Sequence, residues 1–248
     1  MAKGKFSRIR NFKGPFRGLE ERLSKAEAIP SGLYHFTLDE QGVPRRFHLR
    51  VEPDGKGLLT IDASRIIHLN ETATEYVKLI LEGADERTVV KRVRSRYAVD
   101  RNKVLRDLKE IREKVLILAH DWKICPITFL DLDKIEPFTT PVSVPYRMDL
   151  ALTYRCNNNC AHCYVERPRN YPELDTQSWK KVLSKIWEIG IFHVVFTGGE
   201  ATLRDDLVEL IDYAENVGFV TGLLTNGRRL VQDSLMKGFP KRGLTMSR

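Results

Sequence analysis

The chain has 248 residues, 42% of them hydrophobic, with a net charge of +8. That is apolar content enough for a packed core, and no apolar run nears the roughly 18 residues of a membrane span. The basic start, MAKGKFSRIRNF, has no apolar stretch behind it, which excludes a secretory signal. Four cysteines, three of them clustered, do not form a secreted disulfide framework, so a reducing, cytoplasmic location is expected.

The charge is uneven. Residues 1–30 hold eight Lys/Arg against three Glu, a net of +5, so much of the excess belongs to a basic tail. Such a tail is expected to be solvated and disordered; binding to RNA or an acidic peptide is the alternative. Only Phe12 and Phe16 offer it rings for stacking on bases.

Residues 31–70 read as short strands: GLYHFTL, RRFHLRV, GLLTID and RIIHLN, with Pro53, Asp54 and Gly55 in a turn. Three helices follow. In the first, Asn70 caps, Gly83 ends, and Ala73, Tyr76, Val77, Ile80 and Leu81 share a face. In the second, Val89, Val90, Val93 and Tyr97 line up. In the third, Asp100 caps and Val104, Leu108, Ile111 and Val115 form a stripe. Strands then helices make a small α+β domain over residues 31–120. Residues 121–147 contain Pro126, Pro137, Pro141 and Pro145 and read as a linker.

From Met148 the rhythm becomes strand, loop, helix. MDLALTY, IFHVVFT and FVTGLLT read as strands. Between them lie a helix capped by Asp175 with Trp179, Val182, Leu183, Ile186 and Trp187 on one face, and a second over RDDLVELIDYAENVG. LVQDSLMKGF starts a third, and PKRGLTMSR then breaks the pattern. Strands alternating with amphipathic helices indicate βα units on a parallel sheet, about three of them over residues 148–248.

Directly after the first of these strands runs TYRCNNNCAHCYVE, with Cys156, Cys160 and Cys163. Loops at the C-terminal ends of parallel strands are where βα folds place their sites. Three thiolates on so short a loop suit zinc or an iron–sulfur cluster. Structural zinc wants a fourth ligand. His162 is flanked by the other ligands, and Cys125 lies 31 residues upstream in the linker, where a lone cysteine is expected to be packing. A set of three fits a [4Fe–4S] cluster with one iron left open.

The C-x3-C-x2-C loop resembles the signature of the radical S-adenosylmethionine (radical SAM) enzymes, in the form seen in the branch that modifies peptides. FTGGEATLR, after the second strand, carries Gly198, Gly199 and Glu200 where that family has its Gly-Gly-Glu segment. The resemblance implies that this segment binds the amino group of the methionine moiety. Glycines permit close backbone approach, and a carboxylate complements an ammonium. The residue before the third cysteine is often aromatic in the family; here it is His162, whose ring would pack on adenine. Thr225 and Asn226, after the third strand, would line the cleft with Gly227. The implied chemistry is reductive cleavage of S-adenosylmethionine at the open iron, giving a radical that abstracts hydrogen from substrate. A flavodoxin or ferredoxin is the implied electron donor.

Residues 45–118 resemble the PqqD-like fold, a small winged-helix-type module. The resemblance implies a leader segment of a ribosomally made precursor peptide, added as a strand beside the sheet and packed on the last helix. The alternative is a non-catalytic protein that binds peptide or nucleic acid, with Lys91, Arg92, Arg94 and Arg96 facing DNA. The fold class expected is thus α/β: the first half of a radical SAM partial (βα) barrel behind a PqqD-like domain. Six βα units make the family's core, and three are legible here. A truncated or split enzyme, impaired alone or completed by a second chain, is the expectation, with an unpaired edge on the third strand.

Overall fold

A computed structural model describes residues 6–8, 27–40, 43–62, 64–121, 123–130, 142–163, 165, 171–231 and 245–247. Two units emerge, Met1–Ser143 and Val144–Arg248.

The first unit is built on an antiparallel meander: β1 (Phe6–Arg8), β2 (Gly32–Glu40), β3 (Val43–Val51), β4 (Gly57–Ile61) and β5 (Arg65–Leu69), paired in that order. Three helices follow: α1 (Glu71–Leu81), α2 (Glu86–Arg96) and α3 (Arg101–His120). The expected caps are in place. Asn70 Oδ1 accepts from Ala73 N at 2.9 Å, and Asp100 Oδ1 from Lys103 N at 3.0 Å. Each satisfies an amide that the first helical turn leaves without a partner.

The α3 stripe serves two cores. Val104 and Leu108 pack with Tyr76, Ile80, Val89 and Val93 between the helices. Val115, Leu118 and Ala119 pack on Phe36, Phe47, Leu49 and Leu59 of the sheet. The opposite sheet face is also buried. His35, His48, Arg50 and Thr60 are at most 6% exposed. His35 and His48, partners in the β2–β3 register, stack with centroids 4.6 Å apart. Burial pushes His35 down to about 4, helped by the charge of Arg46.

Two expectations need correction here. Phe6–Arg8 lie in the tail read as disordered, yet they pair with β2, Phe6 opposite Leu38. A three-residue strand within a basic stretch has no period of its own; its pairing partner defines it. Cys125 is exposed at the start of α4 (Pro126–Leu130), not packed. That helix interrupts the linker: a proline at a first helical position is tolerated.

The second unit is a parallel sheet in the order β6 (Arg147–Thr153), β7 (His193–Gly198), β8 (Val220–Leu224) and β9 (Thr245–Ser247). Helix α5 (Thr176–Glu188) links β6 to β7, and α6 (Leu207–Val217) links β7 to β8. Asp175 caps α5 by accepting from Ser178 N at 2.7 Å. Leu183, Ile186 and Trp187 of α5 are buried, with Leu207, Leu210 and Ile211 of α6. Trp187 meets Phe219 edge-on at 5.0 Å.

A short fourth strand joins the three expected, and the unpaired edge expected on the third is corrected. Thr245–Ser247 pairs in parallel with Gly222–Leu224, so β8 has a neighbour on both sides. TMS carries no apolar run to announce it. The helix expected over LVQDSLMKGF begins as a 3-10 turn, Arg228–Val231; the rest lies outside the described residues.

Candidate cofactor site

Three loops leave the C-terminal ends of β6, β7 and β8, and hydrogen bonds join them. The first carries the cysteines. Cys156 is half-buried, and Asn158 N donates to its Sγ at 3.4 Å. Cys160 and Cys163 are exposed. Cys163 N donates to Cys160 O at 3.3 Å, turning the loop about the exposed His162.

The second loop lies against the root of the first. Gly199 N donates to Thr153 O at 2.7 Å, and Glu200 N to Arg155 O at 2.8 Å. Only glycine permits this. A Cβ on Gly198, whose φ is +145°, would stand 2.1 Å from Thr153 O. One on Gly199 would stand 2.4 Å from Arg155 O. The close approach expected of these glycines is therefore to the chain's own backbone.

Glu200 is 1% exposed, and both of its carboxylate oxygens are hydrogen-bonded. Oε1 accepts from Thr202 N at 3.1 Å, Thr202 Oγ1 at 2.6 Å and Thr225 Oγ1 at 2.6 Å. Oε2 accepts from Asn226 N at 2.7 Å. Each carboxylate oxygen has about two lone-pair sites: Oε1 is crowded by three donors, whereas Oε2 takes one among the described residues. Glu200 thus ties the second loop to the third.

The third loop returns to the first. Asn226 Nδ2 donates to Asn157 Oδ1 at 2.8 Å and lies 4.0 Å from Cys156 Sγ. Arg228 Nη1 reaches Asn157 O at 3.2 Å and Asn158 Oδ1 at 2.8 Å. Asn226 therefore stands beside the cysteine loop, and Thr225 is tied to Glu200.

Sequence reasoning missed a second network, on the other side of Cys156. Arg204 is buried and pairs with Asp206 through Nε at 2.8 Å and Nη2 at 2.6 Å. Its Nη1 reaches Glu173 at 3.1 Å. Glu173 also takes Arg155 Nε at 2.8 Å. Hydrogen bonds from Arg155 lower the Glu173 pKa against the cost of burial, and Thr153 and Arg204 assist. Burial pushes Asp206 up, but Arg204 and Thr176 outweigh it and hold it low. Arg204 falls four residues after Glu200 in FTGGEATLR. Nothing in its spacing marks it, because its partners are distant in sequence.

Among the described residues no group of three or more His, Cys, Asp or Glu stands close enough to hold a single metal ion. A cubane cluster asks for something else: each thiolate meets its own iron. Three thiols on one loop, two exposed and none in a disulfide, fit that demand by donor type and access.

The basic run on α2 is largely spent on structure. Arg92 Nε pairs at 2.6 Å with Glu75, which is 1% exposed, and Arg96 pairs with the same carboxylate. Lys91 and Arg94 remain exposed.

Comparison with known proteins bears on both units. Residues 150–245 match the family described as Radical SAM superfamily. Residues 55–115 match the family described as Coenzyme PQQ synthesis protein D (PqqD). PqqA peptide cyclase of Bradyrhizobium diazoefficiens is 42% identical over 106 residues, covering 42% of this chain and 28% of the relative. PqqA peptide cyclase of Rhodopseudomonas palustris is 40% identical over 106 residues, with the same coverage. The crystal structure of Streptococcus suis SuiB bound to precursor peptide SuiA is similar in fold, with TM-score 0.50 and 18% identity. The alignment covers 80% of this chain and 45% of SuiB. SuiB bound to S-adenosylmethionine gives TM-score 0.50 and 19% identity, covering 81% and 45%. The matched region is thus about a quarter of each cyclase's length and a little under half of SuiB's.

Proposed function

We propose, for a chain that joins a PqqD-like segment to a radical SAM segment, radical modification of a ribosomally made peptide. The observation that carries this reading is the joining of three loops. A tri-cysteine loop at the end of β6 is hydrogen-bonded both to the Gly-Gly-Glu turn after β7 and to Asn226 after β8. The relatives support the substrate class: one set is named for a peptide, and SuiB has been captured with a precursor peptide.

Cys156, Cys160 and Cys163 would hold a [4Fe–4S] cluster, and S-adenosylmethionine would lie against it. Bound there, the pair would supply one-electron chemistry that no side chain offers. His162, Gly198, Gly199, Thr225 and Asn226 would line the cofactor's bed. Glu200 would hold that bed in shape through its four hydrogen bonds, and its Oε2, with one donor, would keep an acceptor site for the methionine ammonium. Buried and pre-bonded, it costs no reorganisation when the cofactor arrives.

Among the described residues β5 ends the sheet order of the first unit, and a leader segment would add as a strand at that edge. Arg65 of that strand donates to Asp121 O at 2.6 Å, which places the end of α3 beside the same edge. A flavodoxin- or ferredoxin-type donor is the second partner we propose, and a chain adding strands beyond β9 the third. No helix among the described residues is long and apolar enough to cross a membrane, and we propose a cytoplasmic setting.

Iron and acid-labile sulfide, measured after anaerobic reconstitution, test the cluster. The chain should bind both and absorb visible light; Cys156→Ala with Cys160→Ala and Cys163→Ala should abolish this. Equal iron in the wild type and the triple variant would sink the reading.

A further inference from the structure

We propose that Arg204 and Glu173 are positioning residues for the cysteine loop, fixing the backbone ahead of Cys156 so that its thiol faces the cluster. This rests on the cluster reading above. Arg204 is 7% exposed. Its Nη1 donates to Leu152 O at 3.3 Å and to Glu173 Oε2 at 3.1 Å. Glu173 Oε1 accepts from Thr153 Oγ1 and from Arg155 Nε, the latter at 2.8 Å. Thr153 Oγ1 in turn accepts from Arg155 N at 3.0 Å. Leu152, Thr153 and Arg155 are therefore all bonded to this pair or to each other through it, and Cys156 is the next residue.

The other end of the clamp is rigid. Asp206 holds the Arg204 fork through two bonds and accepts from Thr176 Oγ1, at the first residue of α5, at 2.7 Å. The clamp thus refers the loop root to the starts of both helices. Stability alone does not call for it. A buried guanidinium is costly to desolvate, and an apolar side chain of similar volume often serves a core as well. A planar fork with bonds in several fixed directions is what orientation requires.

The test uses the full chain as wild type, Glu173→Gln, Arg204→Lys and Arg204→Met. The first readout is the alkylation rate of each cysteine by iodoacetamide in metal-free protein, resolved by peptide mass spectrometry. Cys156 should react several-fold faster in the variants, while Cys160 and Cys163, already exposed, keep their rates. Arg204→Lys should not restore protection, because an ammonium cannot make the fork's bonds at once. The second readout is the electron paramagnetic resonance spectrum after reconstitution, which should broaden or weaken in variants that melt as the wild type does. An unchanged Cys156 rate in a folded variant would overturn the proposal. If Arg204→Met does not fold, the near-isosteric Glu173→Gln decides. A wild type that takes up no iron would count against the cluster, whereas the labelling contrast judges the clamp by itself.

Discussion

The two units place their buried polar and charged groups differently. In the first unit, Glu75 binds Arg92 and Arg96 between two helices, and His35 stacks on His48 across two strands. Those groups join elements of the framework. In the second unit, the buried Glu200 and Arg204, with the partly exposed Glu173 and Asp206, gather where β6, β7 and β8 end. There the network of ionised groups sits in the loops that follow the strands. Buried polar networks are costly when half satisfied. A fold that concentrates them around three loop roots has fixed the geometry of a site, whereas the first unit has fixed the packing of its elements.

This contrast can be broken by substitution. The largest effect should come from Gly199→Ala. Its Cβ would press on backbone 2.4 Å away, which has no rotamer to yield. We expect a loss of about 3 kcal/mol or more from the second unit. Hydrogen exchange should show it in β6 and β7 and leave the first unit's amides unchanged.

Next is Glu75→Ala. It strands two arginines, and since Arg92 is 31% exposed the cost should be about 2–3 kcal/mol, less than for a fully buried pair. Chemical denaturation would measure it. The iron content of the reconstituted chain should not move, because the loss stays in the framework.

Acidification sharpens the comparison. His35 is held near 4 when folded, against about 6.5 unfolded. Its contribution is whole above pH 6.5 and is lost as pH falls towards 4, up to about 2–3 kcal/mol. Glu173 and Asp206 are held below their ordinary values and yield only at lower pH, and burial lowers the partly buried His193 less than His35, so the second unit should lose less stability through that window. Hydrogen exchange at pH 7, 5 and 4 would show the first unit loosening before the second. The smallest effect should be Asn70→Ala, which removes one cap and costs about 1 kcal/mol, read as a small shift of the denaturation midpoint.

Much of this was legible in the chain's own letters. The four long strands of the meander, the three helices behind them and the caps Asn70, Asp100 and Asp175 follow from local pattern, because propensity and burial agree there. The cysteine loop and the Gly-Gly-Glu turn were legible as motifs. Strands β1 and β9 were not, since three residues owe their form to a partner strand. The role of Glu200 as a tie and the Arg204–Glu173 clamp were also hidden. The bonds that join one loop to another there span up to 52 residues and leave no period. The second buried face of the meander escaped for another reason: His35, His48 and Arg50 sit at polar positions of the alternation, yet are enclosed.

The most direct test is spectroscopic. The purified full chain would be reconstituted anaerobically with iron and sulfide, reduced, and its electron paramagnetic resonance spectrum recorded with and without S-adenosylmethionine. A [4Fe–4S] signal that changes when the cofactor is added is the predicted result. A cluster signal blind to the cofactor, or no cluster at all, would contradict the assignment of these three loops to radical chemistry.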